Sequence, residues 1–191
     1  LNIVSYLLGK TKNIKIGTAA ILLPYYNPIK LAEEIAMIKS FDNDRFLYGI
    51  AKGAFPIYDK TFKADATTNR AVMFEANELI HKLLVEELVT FKGEFFSCED
   101  ISIRPKLSKV IDTFIASESI EAIKEAVSKG YGLIGSIAIS KEKIREIFKS
   151  YENLNPIKPL SFRLARGINI GFNKEAVLKE TQYCADIFLK S

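Results

Sequence analysis

One short polar turn has the composition of an anion-binding site. Ser117, Glu118 and Ser119 follow the apolar run 111–116 and precede a segment with helical periodicity. The free N–H groups and the dipole at the start of a helix favour a negative charge, and the Ser119 hydroxyl adds a further donor. An ordinary serine cap, with Glu118 and Glu121 complementing the helix dipole, explains the same residues equally well.

Two cations stand at similar places in the sequence. Lys52 follows the apolar run 45–51, and Arg70 opens the segment with the clearest helical periodicity. Taken alone, both fit solvated surface cations, because most lysine and arginine side chains are exposed.

Other reactive groups are scarce. The sequence has two cysteines, Cys98 and Cys184, far apart, and a single histidine, His81, so a zinc site would have too few ligands. His81 lies beside Ile80 on a predicted helix, away from the strand ends, and we interpret it as structural. The sequence therefore predicts no metal site and identifies no catalytic residue.

The composition excludes several classes of protein. Of the 191 residues, 48% are hydrophobic and 26% are charged, which is typical of a globular fold and argues against disorder or a coiled coil. The net charge of +4 without a clustered basic stripe argues against a nucleic-acid binder. No apolar run approaches the roughly 20 residues that cross a bilayer, and no signal segment is visible at the N-terminus. We expect no membrane association and a cytoplasmic location.

The periodicity predicts short strands that alternate with helices, which indicates a parallel α/β sheet covered by helices. No dinucleotide-binding or phosphate-loop glycine motif follows any strand. Five parallel strands in 191 residues would make most of a closed eight-stranded barrel, which needs about 250 residues. The predicted strands are 14–23, 45–51, 111–116, 132–134 and 162–171. The predicted helices are 1–8, 28–41, 68–88, 118–129, 140–151 and 173–189. A long polar loop is predicted over 54–68 and a hairpin outside the sheet over about 89–104.

The order of several motifs resembles one known family. The segment 9–24 is similar to the third strand of bacterial luciferase-like flavin-dependent monooxygenases, and further matches follow in that family's order. These matches are Asn27-Pro28, 31–34, Arg45-Phe46, 49–53, 69–71, 91–96 and 116–119. The resemblance implies a parallel (β/α)8 TIM barrel with its cofactor at the carboxyl ends of the strands. On this basis we expect residues 1–191 to be a single partial barrel domain, without the first two strands, the catalytic histidine they carry, and the C-terminal part.

The resemblance also implies which residues hold the cofactor. Lys52 and Arg70 would bind the flavin phosphate, and the turn 117–119 would form a third wall, with the backbone rather than the carboxylate of Glu118 facing the ligand. Ala19 and Ala20, in a stretch that can hold a non-proline cis peptide, would lie under the flavin ring, and Ala51 would leave room for it. Simple packing of small residues explains these alanines equally well.

The implied activity is oxidation of a small organic substrate by reduced FMN and molecular oxygen. A deazaflavin-dependent oxidoreductase of the same fold and a non-catalytic flavin-binding protein are the alternatives. The resemblance further implies a flavin reductase that supplies the reduced cofactor, and a homodimer or heterodimer.

Overall fold

Short strands alternate with longer helices along the chain. The structure is a computed structural model that describes residues 1–41, 45–53, 55–156 and 158–190, the last four by their backbone only. Its helices are α1 (Asn2–Lys10), α2 (Pro28–Phe41), α3 (Pro56–Phe62), α4 (Asn69–Val85), α5 (Ile120–Lys129), α6 (Lys141–Glu152) and α7 (Lys174–Lys190). Its strands are β1 (Ile16–Gly17), β2 (Ile21–Leu22), β3 (Phe46–Ala51), β4 (Val89–Lys92), β5 (Ser97–Ile101), β6 (Thr113–Ala116), β7 (Gly132–Gly135) and β8 (Phe162–Leu164).

Six of these strands form one parallel sheet. Both β1 and β2 pair with β3, which pairs with β6, and β7 and β8 follow in that order. Each crossover between β3, β6, β7 and β8 contains at least one helix, as parallel pairing requires. The predicted parallel α/β sheet is therefore confirmed.

The core lies between the outer face of the sheet and the helices that cover it. In β3 the side chains of Tyr48 and Ile50 are fully buried, in alternation with residues that face the other way. On α4 the buried positions recur with helical spacing, as the sequence predicts. None of the described helices is long and apolar enough to cross a membrane.

The first predicted strand is interrupted. In place of one strand over 14–23, two two-residue strands flank residues 18–20. Thr18 Oγ1 donates to the carbonyl of Gly49 at 2.9 Å and accepts from its N–H at 3.0 Å. A side-chain hydroxyl thus satisfies the backbone groups of β3 at the break.

The predicted loop over 54–68 contains a helix, so this prediction is wrong for part of its length, and Ala54 lies outside the described residues. Helix α3 begins at Pro56, a favoured residue in a first helical turn, and has no buried residue. Without a buried face the sequence shows no apolar period, which is why periodicity missed it. Asp59 Oδ1 fixes the helix by accepting from Tyr25 Oη at 2.7 Å and Asn69 Nδ2 at 2.6 Å.

The antiparallel hairpin of β4 and β5 lies outside the parallel sheet. The Glu75 carboxylate on α4 accepts hydrogen bonds from the backbone N–H groups of Glu94, Phe95 and Phe96, at 2.7 to 2.9 Å. Charge-assisted bonds of this kind attach the hairpin turn to the barrel helix.

The last predicted strand, 162–171, is only three residues long in the structure. Beyond Leu164 the chain turns to the loop that follows β7, and the Arg166 guanidinium donates to the carbonyls of Ser136, Ile137 and Ile139 at 3.2 to 3.3 Å. These bonds replace the pairing that would have extended the strand.

Candidate functional site

The candidate site lies at the carboxyl edge of the sheet, between β3 and β6. These strands pair in parallel, with Ile50 opposite Ile115, so both end at the same edge. Lys52 directly follows β3 and Ser117 directly follows β6. Sheet pairing thus makes neighbours of two residues that are far apart in the sequence.

Arg70 reaches this edge from the first turn of α4. Its Nη1 donates to Ser119 Oγ at 2.7 Å and lies 3.4 Å from Glu121 Oε2. The Arg70 side chain is 32% exposed and lines a small cleft together with Lys52, Ser117 and the apolar Met73. The predicted cations and the predicted serine turn therefore meet in one place.

The serine turn caps helix α5. Ser119 is the N-cap, in extended backbone conformation, and its Oγ accepts from the N–H of Ala122 at 3.3 Å. The Ser117 hydroxyl lies 3.4 Å from both the backbone nitrogen and the hydroxyl oxygen of Ser119. The turn thus places Ser117 in the cleft and the positive end of helix α5 next to Arg70.

Lys52 is half-buried at the same cleft. Its ammonium group makes no hydrogen bond or ion pair with any residue that the structure describes. An ammonium group in this position adds positive charge to the cleft and has all its donors available for a ligand.

Glu121, which the sequence suggests only as a complement to the helix dipole, uses the donors of the cleft. Hydrogen bonds from its own backbone N–H and from the Ser119 hydroxyl, helped by the charge of Arg70, lower its pKa below the usual range. A carboxylate of the chain thus contacts two of the groups that the resemblance assigns to a phosphate, Arg70 and Ser119. The available signal was an acid in the first turn, two residues after the cap.

Glu118 points elsewhere. Its Oε1 accepts from the backbone N–H of Ser136, in the loop after β7, at 3.1 Å. The carboxylate is therefore engaged with that loop.

Of the predicted ring-binding alanines, Ala19 and Ala20 lie between β1 and β2, and Ala51 is the last residue of β3. The Ala19–Ala20 peptide bond is cis. Ala19 lines a cavity of about 200 Å³ on the inner face of the sheet, with Thr18 and Gly49. Ala20 and Ala51 are half-buried and are not among the residues that line this cavity.

His81 is remote from the cleft, on the outer side of the sheet. Its Nε2 lies 2.9 Å from Thr113 Oγ1, and its ring packs edge-on against Tyr131. Burial, together with the charge of Lys129, lowers its pKa to about 4. Among the residues described here, no group of three or more His, Cys, Asp or Glu side chains is arranged to hold a metal ion.

Comparison with known sequences identifies the family. The sequence profile of the family described as luciferase-like monooxygenase matches residues 1–180. The chain belongs to this family. The resemblance seen in the sequence is thereby confirmed for nearly the whole of this luciferase-like chain.

Characterised relatives of this luciferase-like chain are oxygenases by name. The limonene 1,2-monooxygenase of Rhodococcus erythropolis is 29% identical over 150 residues, which cover 76% of this chain and 38% of that protein. The alkanal monooxygenase alpha chain of the Kryptophanaron alfredi symbiont is 25% identical over 153 residues, covering 78% of this chain and 42% of that one. The chain spans about two fifths of the length of these relatives.

Solved structures show the fold of this luciferase-like chain to be an incomplete TIM barrel. The oxygenating constituent of 3,6-diketocamphane monooxygenase from Pseudomonas putida, in complex with FMN, superposes with a TM-score of 0.79 at 15% identity, covering 98% of this chain and 59% of that one. An F420-dependent secondary alcohol dehydrogenase superposes with a TM-score of 0.61 at 17% identity, covering 83% and 51%. The predicted fold class is therefore confirmed.

Proposed function

We propose that this chain provides the phosphate-binding part of an FMN site in a luciferase-like monooxygenase, which oxidises a small organic substrate with reduced FMN and molecular oxygen. The observation that carries the proposal is the convergence of Arg70, Lys52 and the Ser117–Ser119 turn on one cleft. Family membership supports the oxygenase activity, and the FMN in the diketocamphane monooxygenase supports the cofactor.

The donor set fits a phosphate group. The Arg70 guanidinium, the Lys52 ammonium group and Ser117 line the cleft, and Ser119, the N-cap of α5, is joined to it by its hydrogen bond to Arg70. Phosphate carries about 1.5 to 2 negative charges at neutral pH and accepts charge-assisted hydrogen bonds on three oxygens. The contacts of the Glu121 carboxylate with Arg70 and Ser119 support the view that two of these donors can hold an anion.

Each part of the chain has a distinct task in this proposal. Arg70 and Lys52 neutralise the phosphate, and Ser119 orients the Arg70 guanidinium through the 2.7 Å hydrogen bond. The small residues Ala19, Ala20 and Ala51 leave room for a flat ring beside the inner face of the sheet. The flavin, when bound, supplies the redox chemistry.

The cofactor and the partners follow the same reasoning. The F420-dependent neighbour favours a deazaflavin coenzyme as the second candidate, with hydride transfer in place of oxygen chemistry. Under the FMN proposal a flavin reductase supplies the reduced cofactor. A subunit partner is part of the proposal because one of the relatives is named as an alpha chain.

Titration with FMN and with riboflavin tests the phosphate site directly. The two ligands share the ring and differ by the phosphate, so we expect at least about tenfold tighter binding of FMN, from one or more charge-assisted hydrogen bonds. Flavin fluorescence measures both dissociation constants. Equal affinities, or no binding of either ligand, would contradict the proposal, and selective binding of a deazaflavin coenzyme would favour the second candidate.

Replacing Glu121 with glutamine is expected to tighten FMN binding. The Glu121 carboxylate competes with the phosphate for Arg70 and for the Ser119 hydroxyl, but it does so weakly because exposed ion pairs are screened by water and salt. We therefore expect the dissociation constant of FMN to fall by up to about fivefold, with riboflavin unaffected. Flavin fluorescence measures the change.

Glu142→Gln is the matched control for this prediction. Glu142 is also the second residue after a serine cap, in α6, and it pairs with Arg145 as Glu121 pairs with Arg70. This variant should leave FMN affinity unchanged. A Glu121→Gln protein that binds FMN more weakly than the wild type would show that Glu121 supports the site instead of competing for it.

A further inference from the structure

A cation stands on the inner face of the sheet, level with the candidate site. In the pairing register Leu22 is opposite Ala51, Ala116 is opposite Ile134, and Ile134 is opposite Arg163. Ile50 pairs with Ile115, which brings Ala51 and Ala116 to the same level. Arg163 therefore lies in the row in which β3 and β6 end.

The Arg163 side chain is held by a ring rather than by a counter-ion. Its guanidinium carbon lies 5.1 Å from the centroid of the Phe114 ring. Phe114 belongs to β6, and β7 lies between it and the strand of Arg163. It makes no hydrogen bond or ion pair with any residue in the described part of the chain. Stacking on an aromatic face orients the guanidinium plane and leaves its five N–H donors available.

Arg163 lines the same cavity as Ala19, the cavity of about 200 Å³ on the inner face. The other described residues around that cavity are uncharged, and Leu47, Phe114 and Ile134 give it an apolar wall. A ligand in this cavity thus meets an apolar surface and one unpaired guanidinium.

The surroundings of Arg163 on its other side are also positive. Toward the amino ends of the strands it borders a second cavity, of about 330 Å³, which Lys15, Lys109 and Lys158 line as well. Asp112 is the acidic residue among the described lining residues. The excess of cations makes the potential on the inner face favourable for a negative charge.

We propose that Arg163 determines substrate specificity by binding the carboxylate of a small organic acid. This inference rests on the proposed function, because Ala19, which is expected to lie under the flavin ring, also lines the cavity in which Arg163 would bind the substrate. A guanidinium fits a carboxylate with two parallel hydrogen bonds, and the apolar wall accommodates the organic part. The Arg163 side chain is exposed, so a neutral substrate would leave it hydrated and would gain no charge-assisted hydrogen bond from it.

Binding of benzoate and of benzamide tests this proposal, because the two probes share a ring and differ in charge. Isothermal titration with the FMN-saturated protein should show at least about tenfold tighter binding of benzoate. Arg163→Met preserves a long side chain over Phe114 and should abolish that preference, whereas Arg163→Lys should retain part of it. Arg145→Met, which removes a cation from the outer helix α6, is the matched control and should bind both probes as the wild type does.

The outcomes separate this inference from the proposed function. If the wild type binds both probes equally, or if Arg163→Met keeps the preference for benzoate, the substrate role of Arg163 is overturned. If Arg163→Met weakens the binding of FMN as much as the binding of benzoate, the guanidinium binds the cofactor, and the inference is again overturned. If the wild type binds no FMN, the proposed function is refuted. The preference for benzoate over benzamide, measured without FMN, would then still test the role of Arg163.

Discussion

The Arg70→Met variant is expected to lose most of its preference for FMN over riboflavin, with a dissociation constant for FMN at least about tenfold higher than that of the wild type. Arg70 is the residue that joins α4 to the cap of α5 at the cleft, through its 2.7 Å hydrogen bond to Ser119. A hydrogen bond between charged groups contributes about 1.5 to 3 kcal/mol, which corresponds to a tenfold to hundredfold change in affinity. Riboflavin has no phosphate and should bind both proteins equally.

Lys52→Met should also raise the dissociation constant for FMN, but by less than Arg70→Met does. An ammonium group is a point charge and cannot hold two phosphate oxygens in the planar geometry of a guanidinium. Flavin fluorescence gives the dissociation constants of FMN and riboflavin for the wild type, the two single variants and the double variant. The ratio of the two constants in each protein measures the contributions of Arg70 and Lys52. If the ratio in Arg70→Met equals that of the wild type, the cleft is not the phosphate site.

Arg145→Met is the control for loss of a cation near a helix start. Arg145 pairs with Glu142 in the first turn of α6, as Arg70 pairs with Glu121 in the first turn of α5. Its removal changes the net charge by the same amount at a residue that does not line the cleft. An equal effect of both substitutions would indicate a general charge effect instead of a specific site.

The free energy of unfolding is expected to fall by about 2 kcal/mol between pH 7 and pH 5 because of His81 alone. Burial lowers the pKa of His81 to about 4, whereas a histidine in the unfolded chain has its ordinary pKa of 6.5. Below pH 6.5 the unfolded chain therefore binds a proton that the folded chain does not. The stabilising effect of the neutral imidazole is complete above pH 6.5 and is lost as the pH falls toward 4.

Urea unfolding at pH 7 and pH 5, with the wild type and with His81→Gln, measures this contribution. His81 is the only histidine of the sequence, and most carboxylates remain ionised above pH 5, so few other groups titrate in the window. The glutamine variant should lose much less stability than the wild type on acidification. An equal loss in both proteins, or an NMR titration of His81 in the folded wild type with a midpoint near 6.5, would contradict the prediction.

The alternation of strands and helices was predictable from the sequence because it depends on local patterns. Helix α4 has buried positions at helical spacing, and β3, β6 and β7 are short apolar runs bounded by polar residues. The order of motifs over 9–119 is enough to indicate the family, and the profile match over residues 1–180 agrees with it. Helix α3 escaped the same reasoning because a helix without a buried face leaves no period in the sequence.

The alternating parallel α/β pattern therefore follows from the sequence alone, because it depends on spacing along the chain, whereas the family and the candidate site residues come from the resemblance of ordered motifs to a known family. Only the tertiary structure decided which groups meet. Arg70 and Ser119 are 49 positions apart, and the crossing of α4 over the sheet brings them within hydrogen-bond distance. The same folding placed the Glu121 carboxylate on the donors of the cleft and turned Arg163 toward Phe114 on the inner face. Such contacts depend on strand register and helix packing, which sum many weak interactions along the whole chain and leave no local pattern.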